Sequence, residues 1–145
     1  MTTFLLLMSI VANASPPPPP PLPRAFCDAA TGDDARSVTH LRARYGVIGT
    51  NGSGVYSGEL TLSGSEDAEF LDVSGEVAGE RRDGTARIIR CGADRIRQLE
   101  VTWKSGAVLF CVPHGTFDNA RKASCSRDLG GRGEHQELWF ERLGT

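Results

Sequence analysis

Nowhere in its 145 residues does the chain keep apolar side chains at the i, i+3, i+4, i+7 spacing of an amphipathic helix, so helices contribute little to its fold. Enzyme signatures are missing as well. Gly52-Ser53-Gly54 is a turn and lacks the Gly-x-Ser-x-Gly frame of a nucleophile elbow, and no glycine loop has phosphate- or dinucleotide-binding spacing. There is no Cys-x-x-Cys pair, and His40, His114 and His135 lie far apart, so no metal or other cofactor is implied. The chain therefore reads as a binding protein rather than an enzyme. Its formal net charge is only −2. Six arginines fall between residues 81 and 97, but Glu80, Asp83, Asp94 and Glu100 interleave with them, which argues against nucleic acid or a polybasic membrane surface as partner.

Only one hydrophobic run is present. Residues 4–11 are almost wholly apolar and are followed by Ala12-Asn13-Ala14, the small-x-small pattern that a signal peptidase accepts. The run is too short to span a bilayer, which takes about 20 apolar residues. Residues 1–14 are thus expected to be a signal peptide, leaving a mature chain with no transmembrane segment that is secreted or periplasmic. Residues 15–23 are nearly all proline, a semi-rigid polyproline II tether. An irregular acidic arm follows to residue 36, and residues 37–145 form one domain.

Four cysteines in an exported chain suggest two disulfides, with three possible connectivities. A bridge from Cys125 to Cys111 would pin the middle of the long 113–135 connection to the wall of the fold. Cys27–Cys91 would then secure the N-terminal arm.

From residue 37 onward, period-2 alternation is interrupted by Gly, Asn, Asp and Ser, predicting strands over 39–48, 55–63, 69–79, 85–91, 96–104, 107–112 and 136–143. Turns centred on Asn51-Gly52, Glu66-Asp67, Asp83-Gly84, Ala93-Asp94 and Ser105-Gly106 bring Leu60, Val73, Ile88, Leu99 and Phe110 onto one face. In this register Tyr45 covers Gly58, and Leu138 and Phe140 enter the core while Trp139 packs under a loop. Too little helix remains to cover that apolar face. The expected fold is all-β: an antiparallel meander of about seven strands closed into a small up-and-down barrel, the last strand meeting the first. A two-sheet β-sandwich is the alternative.

The register also places Arg90, Arg97 and His114 side by side on one rung, with Tyr56 on a neighbouring strand. Two arginines directly opposed repel unless an anion lies between them. This rung is the candidate ligand site, a cationic mouth for a small anionic ligand or the acidic side chain of an exported protein partner. The expected function is accordingly an exported, non-enzymatic binding module. The alternative is a structural or inhibitor-type protein that works through a displayed 113–135 loop, since connections of that length are commonly functional.

Overall fold

The computed structural model describes residues 26–116, 118–127 and 134–143. The signal-peptide and proline-tether segments lie outside these residues. Nine antiparallel strands form one sheet: β1 (Cys27–Ala29), β2 (Ala43–Asn51), β3 (Gly54–Ser63), β4 (Leu71–Val77), β5 (Glu80–Cys91), β6 (Ile96–Trp103), β7 (Val108–Pro113), β8 (Lys122–Ser126) and β9 (Gln136–Glu141). Strands β2 to β9 pair in sequence order, β9 returns to β2 and β6 to β5, so eight strands close into an up-and-down barrel. Closure removes the open edges and gives the apolar faces one shared interior.

Two strands were not expected from the sequence. The 113–135 connection holds β8 across 122–126, where the expectation was a long connection pinned through Cys125, with a displayed loop as the alternative. Cys125 pairs directly with Cys111, and Ala123 packs into the core. The acidic arm holds β1, which pairs with the last residues of β5 beyond the reach of the shorter β4. The disulfides are Cys27–Cys91, joining β1 to β5, and Cys111–Cys125, joining β7 to β8.

The register explains which residues reach the interior. β5 and β6 pair as the Ala93-Asp94 turn requires, with Ile88 opposite Leu99 and Arg90 opposite Arg97. The β2–β3 and β3–β4 pairings are each displaced by two residues, which preserves the faces: Tyr45 lies opposite Leu60, and Gly58 lies between Val47 and Val77 rather than under Tyr45. The β4–β5 reversal is at Ala78-Gly79, not Asp83-Gly84, and both turn residues have positive φ (56° and 77°), as a type I′ hairpin demands. The β6–β7 turn is the one that changes a face. Lys104, Ser105 and Gly106 make a three-residue reversal, with Gly106 at φ 93° and its N–H donating to the Trp103 carbonyl. Leu109 and Cys111 therefore point inward, while Phe110 turns out against Ile89 and the Cys27–Cys91 bridge.

The interior is packed. Trp139, not Leu138 or Phe140, occupies its centre, 1% exposed, beside Tyr45 and Trp103 at ring-centroid distances of 6.3 and 6.5 Å. Phe140 lies on the outer surface over Gly46, where a Cβ would collide with its ring. The space beside Tyr45, Leu62 and Trp139 is about 10 Å³, the volume of a single water probe at most. One end of the barrel is plugged by helix α1 (Gly32–Arg36) and the 3-10 turn that follows, which insert Ala35, Val38 and Leu41. The Tyr45 hydroxyl donates to the Leu41 carbonyl at 2.8 Å, and burial pushes its pKa up to about 12.

Gly75 marks the closest approach within the wall. A Cβ there would run into the Glu59 carbonyl and the Leu60 backbone, neither of which can move without distorting the ladder. Gly75→Ala is expected to destabilise the protein by about 1–3 kcal/mol, as other overpacked positions do. The loss should appear as a lower urea midpoint at unchanged slope. A variant as stable as the parent would mean that β3 and β4 are not so tightly apposed.

Candidate functional site

The barrel has two unlike ends. The plugged end carries the β3–β4, β5–β6 and β7–β8 connections. The other carries the β2–β3, β4–β5 and β6–β7 turns and the approach to β9.

Arg90 and Arg97 are directly opposed at the plugged end, and the anion between them belongs to the chain itself. Asp34 on α1 accepts from Arg90 Nε and an Arg90 terminal nitrogen at 2.8 and 2.7 Å, and lies 3.9 Å from Arg97. The other Arg90 terminal nitrogen donates to the Arg95 carbonyl. Where the sequence reading expected an external anion, Asp34 lies between the two arginines, and the rung fastens the plug. His114 does not join it. The face change in β7 puts His114 on the outer surface, with Nε2 2.6 Å from Ser124 Oγ. Tyr56 lies at the opposite end, because β4 and β5 reverse at Ala78-Gly79 and the rungs shift accordingly.

The hydrogen bonds from Arg90 hold the Asp34 carboxyl below its ordinary pKa, against the opposing effect of its partial burial. A carboxyl depressed in this way contributes stability above the unfolded-state value near 3.8, and loses it as pH falls through the lower folded value. Asp34→Asn is expected to cost about 1 kcal/mol at neutral pH, the upper range for a part-exposed pair. The difference from wild type should stay level from pH 5 to 8 and shrink below pH 4, as paired urea titrations would reveal. A gap that persists undiminished at low pH would show that the charge on Asp34 is not what matters.

The turn end holds a different group of residues. Glu137, on β9 just above Trp139, has a fully buried side chain. Arg82 of β5 reaches it across the lumen, its NH1 donating to the two carboxylate oxygens at 2.7 and 3.1 Å. The same guanidinium sits 5.8 Å from the Tyr56 ring centroid and 5.5 Å from that of Trp103. Its plane and charge are thus fixed between two aromatic rings and one carboxylate, a low-dielectric setting in which each contact is stronger than in water. His135 completes the cluster, with Nε2 3.0 Å from Tyr56 Oη and 3.4 Å from Glu137 Oε2. Burial, and next the Glu137 charge, raise the Tyr56 pKa, while Arg82 and Arg127 oppose them.

Above this floor the barrel opens. A cavity of about 330 Å³ is lined by Arg81, Arg82, Trp103, Lys104, Arg127 and His135, together with Glu80, Asp83 and residues of the 105–109 segment. A second depression of about 500 Å³, around Asn51, Tyr56 and Glu134, shares Arg82, Arg127 and His135 with it. Two of the cations lining the 330 Å³ cavity are already neutralised: Arg82 by Glu137 and Arg81 by Asp83, the latter pair 3.2 Å apart. Lys104 and Arg127 form no ion pair among the described residues.

Of the four ligand-site residues singled out from the sequence, only Tyr56 lies at this end of the barrel, where it lines the second depression. Arg82, Trp103, Lys104, Arg127, His135 and Glu137 come from β5, β6, the β6–β7 turn and the approach to β9, and no short motif links them. The groups with metal-ligating side chains form no cluster of three able to hold an ion among the described residues. None of the helices described is long and apolar enough to cross a membrane. No family model, curated protein or solved structure matches the chain.

Proposed function

We propose that this protein is an exported, non-enzymatic binding module that takes a small anionic ligand at the turn end of its barrel. Lys104 and Arg127, two exposed cations that line a 330 Å³ opening and form no ion pair with any described side chain, carry this reading. Positive charge lining a concave opening attracts anions, and the volume lies at the small end of the range of ligand pockets. Arg82 and Glu137 give the opening a rigid floor, so binding needs little reorganisation. Export is supported by two disulfides in a small domain and by the apolar run ending in Ala12-Asn13-Ala14.

A two-dimensional NMR titration of the folded protein with sodium acetate and sodium phosphate at low ionic strength tests the proposal. Saturable shifts are expected at residues 80–83, 103–107, 127 and 135, while residues 34, 90 and 97 stay in place. Shifts confined to the Arg90 end, or none that saturate, would refute it.

A further inference from the structure

Asn51 ends β2, Gly52 and Ser53 make the reversal, and Gly54 begins β3 as the partner of Asn51, so only the terminal rung of the hairpin restrains the asparagine. Asn51, Gly52 and Ser53 are all exposed. The Asn51 side chain folds back over the turn, its Oδ1 accepting from the Ser53 N–H at 2.8 Å. That donor polarises the side-chain carbonyl and is placed to stabilise negative charge developing on its oxygen. Gly52 has no Cβ to obstruct an approach through its nitrogen, and its N–H forms no hydrogen bond among the described residues. A carboxylate is at hand, since a Cβ built on Gly52 would meet Glu134 Oε2 at 3.5 Å. An electrophilic carbonyl, a donor to its oxygen, an unhindered nitrogen and a base thus meet at one turn. We infer that Asn51 is a self-modification site, at which the Gly52 nitrogen displaces the side-chain amide as ammonia and a carboxylate is left at position 51.

Glu134 takes the Gly52 amide proton as that nitrogen bonds to Asn51 Cγ. The resulting oxyanion is held by the Ser53 N–H. It collapses with loss of the Cγ–Nδ2 bond, and the proton departs with the nitrogen as ammonia. Water then opens the cyclic imide at either carbonyl, giving aspartate or isoaspartate, and nothing is oxidised or reduced. Asn119 is exposed as well, but Ala120 follows it and sets a Cβ beside the corresponding nitrogen. Asn51 lines the 500 Å³ depression with Arg127, Glu134 and His135, so conversion adds a negative charge beside the proposed anion site. Anion affinity falls as the protein ages. This consequence rests on the binding reading above, whereas the modification itself does not.

The full chain is incubated in mildly alkaline buffer, and amide loss at Asn51 and Asn119 is followed by peptide mass spectrometry. Asn51 is expected to convert at least about tenfold faster than Asn119. Gly52→Ala and Glu134→Gln should each slow it by about tenfold, somewhat less than a fully positioned base supplies. Gly52 does not have a positive φ, so alanine leaves the turn in place. Equal rates at Asn51 and Asn119 would overturn the inference. A Glu134→Gln variant that converts as fast as the wild type would overturn the claim that the fold promotes the reaction. The converted form, separated by anion exchange, should bind acetate about threefold more weakly than fresh protein, the worth of one exposed like charge. Equal acetate affinity would overturn the link between Asn51 and the opening. If neither form binds acetate, the proposed function fails and the modification stands.

Discussion

Replacing Trp139 with alanine is expected to destabilise the protein by about 3–5 kcal/mol, the range for deleting a large buried aromatic side chain. The indole fills the middle of the barrel between Tyr45 and Trp103 and belongs to the same cluster as Leu62 and Leu99. Whether such a site relaxes decides where in the range the loss falls. Here the surrounding wall is a closed ladder of eight paired strands, which cannot move inward without breaking hydrogen bonds all the way round. The cavity should therefore persist and the loss sit near the top of the range. For a domain whose whole stability is about 5–15 kcal/mol, that leaves little margin. Trp139→Phe should lose much less. It keeps most of the volume and removes an indole N–H that, among the described residues, has no acceptor. Urea unfolding followed by far-ultraviolet circular dichroism measures both. An alanine variant within 1 kcal/mol of the parent would mean that Trp139 does not fill the interior.

The second large effect separates the two disulfides. Cys27–Cys91 closes 64 residues of chain and Cys111–Cys125 closes 14. On the chain-entropy account, removing the first costs about 4 kcal/mol and removing the second about 3. The structure widens the gap. β1 is three residues long and pairs only with β5, and the plug that follows it is fastened through Asp34. Opening Cys27–Cys91 loosens this whole assembly, whereas β7 and β8 remain paired on both sides within the barrel. The double variant Cys27→Ala/Cys91→Ala should therefore melt at the lower temperature, with faster hydrogen exchange across residues 30–41. Equal melting temperatures, or the reverse order, would contradict this account.

Class, closure and face pattern were legible in the sequence because strand parity survives many errors in turn placement. The β4–β5 reversal was misplaced by five residues, yet the odd-numbered residues of β4 still faced inward. Asp83-Gly84 is a strong hairpin signal, but Gly84 serves close packing instead: a Cβ there would strike the Thr102 carbonyl. The true turn puts Ala78 at φ 56°, a conformation that its side chain does not advertise. A single misjudged residue in the β6–β7 turn was enough to exchange Leu109 for Phe110. In the last strand, Leu138, Trp139 and Phe140 are all apolar, so alternation could not choose between faces. Glu137 shares the face of Trp139, and its side chain is buried only because Arg82 reaches it. Its partner Arg82 lies 55 positions away, a distance at which no local pattern reports a salt bridge. The candidate opening was hidden for the same reason: each of its cations looks like an ordinary surface residue until the barrel closes.

The short β1 strand gives the molecule a polarity. Cys27 pairs with Cys91, at the end farthest from the Ala78-Gly79 and Lys104–Gly106 reversals. The polypeptide thus joins the barrel at its plugged base. A domain held through the residues that precede Cys27 is gripped from behind, with the Trp103 and Arg127 side facing away from whatever holds it. Any anchor there would leave the approach to the opposite face clear, and a solute arriving from the medium would meet that face first.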